Sequence, residues 1–136
     1  MKTRFLFLGT LFIALALLSA CGKSDSLNGT HWQLAELNGA PVLTDAIATL
    51  NFESGNLGGS DGCNTYGGSF TAKRSSFTVG TDIFSTMMYC SDTINVQATA
   101  FYSALNQAAE YRIDGGSLSL LDSSGNVLAL FVSISQ

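Results

Sequence analysis

The hydrophobic pattern of this chain changes character between its N-terminal segment and the rest. Phe5 to Leu18 is almost unbroken Leu, Phe, Ile and Ala. Further on, short alternating stretches separated by turn residues take over. His31 to Leu37 alternates with Trp32 and Leu34 on one face, and it stops at Asn38-Gly39, a pair that tolerates positive φ at both positions of a tight hairpin turn. Ala48 to Glu53 reads as a second strand, with Leu50 and Phe52 facing the same side. Asn56 to Gly68 is Gly-rich and polar and reads as a loop, followed by alternating Phe70 and Ala72. Ser76 to Val79 is another short strand, with Phe77 and Val79 inward. Arg112 to Asp114 and Ser117 to Leu121 flank the tight turn Gly115-Gly116. Asp122 to Asn126 closes the next hairpin, before a final strand from Val127 to Ile134. Turn signals this closely spaced are expected of an all-β sandwich or barrel.

One stretch breaks the two-residue rhythm. Ile94, Ala98, Phe101, Leu105 and Ala108 recur every three or four residues, which predicts a helix from about Thr93 to Ala108 with Asp92 as its N-cap. Thr93, Ile94, Val96 and Thr99 weaken helix propensity through their branched Cβ, but no Gly or Pro interrupts the run, and the apolar period decides. The expected fold is mainly β with one helix: a small antiparallel, barrel-like curved sheet and a helix packed against it.

The N-terminal run is a different kind of object. Lys2 and Arg4 precede it, and Leu18-Ser19-Ala20-Cys21 ends it. A positive start, an apolar core and small residues before a cut site mark a secretory signal. The run falls short of the roughly 20 residues of a comfortable bilayer crossing. Leu-Ser-Ala-Cys resembles the bacterial lipobox, in which the cysteine thiolate takes a diacylglycerol group before cleavage, and small neighbours let the peptidase reach the backbone. Each buried acyl methylene contributes about 0.8 kcal/mol, and more than one chain anchors stably. Gly22 stands where Asp would, by the rule for such proteins, retain the chain in the inner membrane. The expected organisation is a signal peptide over 1–20, a lipidated tether over 21–28 and a domain over 29–136. The expected address is the cell envelope, anchored to the outer membrane through lipid on Cys21 and facing the periplasm.

Charge narrows the partners. The 136 residues carry a formal net charge of −4, and loss of Lys2 and Arg4 with the signal makes it −6. The remaining bases are Lys23, Lys73, Arg74 and Arg112, too few and too scattered to neutralise phosphates in a row. Nucleic acid is excluded as a partner.

Candidate chemistry is sparse. Once Cys21 is lipidated, Cys63 and Cys90 are an even pair outside the cytoplasm and are expected to form a disulfide. That bridge would close a loop of about 28 residues and stabilise by about 3–4 kcal/mol in the chain-entropy model. His31 is the only histidine. It precedes Trp32 in an alternating strand, so it points to the more solvated face rather than toward a cysteine nucleophile. Zinc needs three or four ligands, and two bridged cysteines leave too few. Gly55 to Gly68 lacks the Gly-Lys-Ser/Thr ending of a phosphate loop, and its glycines suit bends in a curved sheet. Asp61, Asp82, Asp92 and Asp114 show no calcium-loop spacing. Met87, Met88 and Tyr89 form an apolar cluster beside Cys90 and read as core packing, with a flexible contact surface as the rival reading. Asn64 and Tyr66 are candidate side chains of a binding loop, with local backbone capping of a turn the favoured role for Asn64. No metal or cofactor is expected.

Several ordered segments resemble one family. Asn28-Gly29-Thr30-His31-Trp32-Gln33-Leu34 with Leu37-Asn38-Gly39 looks like the opening of the META domain, the family of the HslJ heat-shock proteins. Gly62-Cys63-Asn64, Tyr66 and Gly68-Ser69-Phe70 resemble its central motif, and Ser85 to Cys90 resembles its Thr-x-Met-x-Cys segment. Phe101 to Leu105, Tyr111 and Leu118-Ser119-Leu120 fit its helix and closing hairpin. Asp61 stands where small or polar residues are usual. The resemblance implies a β-barrel-like sheet with one helix, an exported or lipoprotein location, and an association with stress or antibiotic tolerance, notably toward novobiocin. It implies no established enzymatic activity. The expected function is that of a non-catalytic, monomeric, lipid-anchored envelope protein that supports such tolerance by contacting an envelope protein or a small ligand. The alternative is an inhibitor of an envelope or secreted hydrolase such as a lysozyme or protease, inserting the Asn56 to Asn64 loop into a cleft. A third reading is carriage of a ligand inside the barrel.

Overall fold

A computed structural model describes residues 27–135, so the signal segment and Cys21 lie outside the described residues. Ten strands and one helix follow in the order β1 (Thr30–Leu37), β2 (Ala40–Pro41), β3 (Thr49–Glu53), β4 (Asn56–Ser60), β5 (Thr65–Lys73), β6 (Ser76–Val79), β7 (Phe84–Ser85), α1 (Asp92–Gln107), β8 (Glu110–Asp114), β9 (Ser117–Leu121) and β10 (Val127–Ser133). Every pairing is antiparallel. Around the ring run β1, β3, β4, β5, β6, β8, β9 and β10, and β10 pairs back onto β1 through Trp32↔Ser133 and Leu34↔Phe131. The result is a closed eight-stranded barrel. The short strands β2 and β7 hang outside the ring on β1 and β5.

An eight-stranded barrel has an interior just wide enough for side chains to fill. Phe52, Phe77, Phe101, Phe131, Leu34, Leu50 and Leu118 fill it, all buried. Phe52 meets Phe70 edge-on at 4.8 Å between centroids and Phe77 at 6.1 Å, so three strands contribute to one aromatic cluster. Leu27 also belongs to this core, at 3% exposure. The strand faces expected for Trp32, Leu34, Leu50, Phe52 and Phe77 are those observed.

The Gly-rich stretch is the main departure from the sequence reading. Asn56 to Gly68 is no loop: it is β4, a tight turn and the start of β5, two neighbouring staves of the barrel. Glycine weakens strand signals because it adds nothing to pack, which hid them. Their function is clearance. A Cβ on Gly68 would lie 2.5 Å from Ile83 Cδ1 and 3.1 Å from Ile83 Cα. The segment leading into β7 therefore rests directly on the β5 backbone. Gly68→Ala is expected to destabilise by about 1–3 kcal/mol through overpacking, visible as a lower urea midpoint with unchanged slope.

Helix α1 begins one residue away from the expected cap. Ser91, with extended φ and ψ, accepts from the Ile94 N–H at 3.4 Å, and Asp92 is the first helical residue, where a negative charge suits the helix dipole. Its buried face carries Ala98, Phe101, Ala104 and Leu105. Phe101 touches Tyr66 and Phe131 at 5.5 and 6.4 Å, so the helix packs against the barrel core. Gln97 is buried with both ends satisfied: it accepts from the Leu43 N–H and donates to Ala46 O, each at 2.7 Å. One glutamine thus pins the segment between β2 and β3 to the helix.

Candidate functional site

Between β4 and β5 the chain turns through Asp61-Gly62-Cys63-Asn64. Asp61 is only 1% exposed. Its Oδ1 accepts from the backbone N–H groups of Cys63 at 2.8 Å and Asn64 at 2.5 Å, while Oδ2 accepts from the Tyr102 hydroxyl at 2.8 Å. This carboxylate closes the turn on itself and ties it to α1. Gly62 sits at φ +96°, with any Cβ only 2.5 Å from Ala46 O, so glycine is required there. The unusual Asp61 is a structural hub. Asp61→Ala strands two N–H groups and a hydroxyl and is expected to cost about 2–4 kcal/mol; Asp61→Asn, which keeps an acceptor for the N–H groups, is expected to cost less, as differential calorimetry would show.

The turn aims Asn64 across to the segment after β7. Asn64 Oδ1 accepts from Thr86 Oγ1 at 2.8 Å and from the Met88 N–H at 2.7 Å, and Nδ2 donates to Met88 O at 3.2 Å. The side-chain amide therefore pairs with Met88 as a neighbouring strand would. Local capping was the expected role for this amide; it instead bonds to a residue 24 positions away. Beside it, Cys63 and Cys90 are joined in a disulfide with Cα atoms 6.0 Å apart. Two independent fastenings hold Thr86 to Cys90 against the barrel.

Held this way, the segment's apolar side chains face outward. Met87 is 97% exposed, and Phe84, Met88, Tyr89 and Val96 lie between 60% and 72%. The expectation that Met87, Met88 and Tyr89 pack in the core is overturned. Asn64 and the disulfide spend this segment's backbone groups and its cysteine on the barrel, so the remaining side chains point away. Next to them, Tyr89, Asn95, Val96, Thr99 and Ala100 line a mostly apolar groove of roughly 600 Å³ along α1, with Asp92 on its wall. The Tyr89 hydroxyl donates to Asp92 Oδ1 and closes one end.

This surface lies at the far end of β4 from where the chain enters the barrel. Gly29 N–H donates to Phe52 O at 2.7 Å, and Asn28 Oδ1 accepts from Gly55 N–H, so entry is beside the β3–β4 hairpin. The five residues of β4 separate that hairpin from the Asp61 turn by about 15 Å at ~3.3 Å per residue.

The other candidates fall elsewhere. Tyr66 is 2% exposed, its ring against Phe101 and Tyr102 and its hydroxyl donating to Thr49 O at 2.8 Å. Only its backbone reaches the surface turn. His31 Nδ1 lies 3.1 Å from Asn51 Oδ1, a partner on the adjacent strand β3. Among the described residues no three His, Cys, Asp or Glu side chains are grouped to hold a metal. Asn56 to Asn64, taken as an insertable loop, is barrel wall and a clamped turn. The residues the sequence reading passed over are Phe84 and Val96. A signal existed: the helix-weakening Thr93, Val96 and Thr99 all lie on the exposed side of α1.

Electrostatics bear on stability here. Burial, with Tyr102 and Asp61 nearby, raises the Tyr66 hydroxyl well above its ordinary value. Burial and the hydrogen bond to Asp61 raise Tyr102 likewise. An acid whose folded pKa is raised stabilises the fold below the unfolded value near 10 and loses that contribution as pH climbs through the folded value. Stability is expected to be flat with respect to these groups at neutral pH and to fall above pH ~10, mainly through the buried Tyr66 and less through the more exposed Tyr102. Tyr102→Phe should flatten that alkaline slope in urea titrations.

The META domain family matches residues 25–134. Among solved structures, one of a protein from Burkholderia xenovorans is similar at 22% identity with a TM-score of 0.65, covering 81% of this chain and 85% of that one. A DUF4847 family protein from Bacteroides vulgatus is similar at 18% identity and a TM-score of 0.60, covering 82% and 97%. Likeness at these identities concerns the fold. No curated protein matches the sequence significantly. With the family match spanning the whole barrel and its helix, the chain belongs to the META domain family.

Proposed function

We propose that this META domain is a non-catalytic contact module on a lipid-anchored envelope protein, and that it supports tolerance of envelope stress or of novobiocin-type antibiotics by binding another protein. The observation that carries the reading is the placement of Phe84, Met87, Met88, Tyr89 and Val96. Large apolar side chains gathered at one place on a small domain mark an interaction site, and here a disulfide and an amide clamp hold them in fixed positions, which lowers the ordering cost of binding. The side chains assembled there are apolar or already hydrogen-bonded, which suits contact rather than bond-making. Lipid on Cys21 would hold the chain to the outer membrane by its entry end. The contact surface, at the far end of β4, would then face the periplasm.

Two experiments test this. Deleting the gene is expected to lower tolerance to heat, detergent or novobiocin; unchanged tolerance to all three would overturn the role. Cys21→Ser is expected to move the protein from the membrane to the soluble fraction and to abolish acyl mass on its N-terminus. A wild-type protein without acyl mass would overturn the anchor.

A further inference from the structure

Resting on the contact-surface reading above, we infer that the groove along α1 receives a basic amphipathic peptide segment of a partner protein. Three observations converge on that chemistry. The groove's walls are largely apolar, with Val96 and Ala100 on the helix and Tyr89 at its end. An apolar helix or strand face fits such a trough, as in other helix-in-groove recognition.

The charge is one-sided. Asp92, on the groove wall, is the only charged residue between Ile83 and Gln107. The described bases stand elsewhere, Lys73 and Arg74 at the β5–β6 turn and Arg112 on β8. Among the described residues the Asp92 carboxylate has the Tyr89 hydroxyl but no base beside it, which favours a cation from the partner and penalises an acid, so charge sets both selectivity and encounter rate. The same feature argues against an anionic lipid surface as the occupant.

The third observation is Asn95. It lines the groove, and its Nδ2 is buried with no acceptor among the described residues. A small rotation of the amide into the groove would let it donate to a carbonyl of the bound segment. A carbonyl of an extended or helical-end peptide would supply an acceptor for that donor.

The test uses the full chain in nanodiscs of neutral lipid, with empty nanodiscs subtracted. Three fluorescent 18-residue amphipathic peptides of Leu with Lys, with Gln or with Glu are titrated by anisotropy. The Leu/Lys peptide is expected to bind at least tenfold more tightly than Leu/Glu. Asp92→Asn should weaken Leu/Lys three- to tenfold and leave Leu/Gln unchanged, whereas Asp114→Asn, which alters net charge equally, should change neither. Val96→Lys should weaken Leu/Lys at least tenfold with unchanged thermal stability. Equal affinity for Leu/Lys and Leu/Glu, or equal effects of Asp92→Asn and Asp114→Asn, would overturn the cationic preference. If Val96→Lys still weakened every peptide in that case, the contact surface would stand without it. If no peptide bound, the inference would fall, while the tolerance assay would still judge the proposed function.

Discussion

Replacing both Cys63 and Cys90 with serine is expected to lower the thermal midpoint by roughly 15 °C while leaving the barrel folded. The bridge spans 27 residues of sequence, and a cross-link of that length removes about 3–4 kcal/mol of unfolded-state freedom. A domain of this size loses about 4–5 °C per kcal/mol. The fold survives because the bridge is one of two fastenings. Asn64 still holds Met88 through its amide, and Asp61 still closes the turn and holds Tyr102. Circular dichroism melts of the variant and of wild type with and without reductant would check this. A midpoint change below about 5 °C would mean that the loop is already restricted in the unfolded chain.

The second large effect lies in the aromatic cluster. Phe52→Ala is expected to cost about 3–5 kcal/mol, the sum of lost transfer energy and an unfilled cavity. Phe52 is fully buried and in contact with Phe70 and Phe77, both fixed on paired strands that cannot collapse inward without breaking the ring. Against a typical total of 5–15 kcal/mol, this is enough to leave the variant partly unfolded at physiological temperature. Phe52→Leu should cost less than half as much. Urea denaturation of both would separate cavity cost from a general intolerance of change. A near-native midpoint for Phe52→Ala would contradict a tightly filled interior. It would instead favour the ligand-carrying reading.

The barrel was legible in the chain because most of its staves alternate. Trp32 and Leu34, Leu50 and Phe52, Phe77, and the hairpin at Gly115-Gly116 all predict the faces and turns that the structure holds. The helix was legible from its apolar period, despite branched residues that argue against it. What was not legible is whatever depends on non-local pairing. Strand β4 carries two glycines in five residues, and their value lies in the closeness of Tyr66 and Thr49, which sequence spacing does not report. β7 is two residues long and exists only because Gly67 and Gly68 admit it against β5.

The site was half legible. The pairing of Cys63 with Cys90 followed from the expected compartment and from parity. The outward turn of Met87, Met88 and Tyr89 did not follow, because hydrophobicity alone argues for burial, and the Asn64–Met88 pairing together with the disulfide reverses it. Asp61, whose identity looked like an unremarkable departure from the family pattern, holds the whole corner together. Tyr66 is in the core for a related reason: as the second residue of β5 it turns its ring toward α1.

One complementation experiment separates the surface from the fold that carries it. A strain lacking the gene is complemented with wild type or with the combined Met87→Ser, Met88→Ser, Tyr89→Ser and Val96→Ser variant, and growth is scored under novobiocin, heat and detergent. The variant is expected to be present at wild-type level, to melt within a few degrees of wild type and to fail to restore tolerance. Full restoration by that variant would contradict the proposed role of the surface.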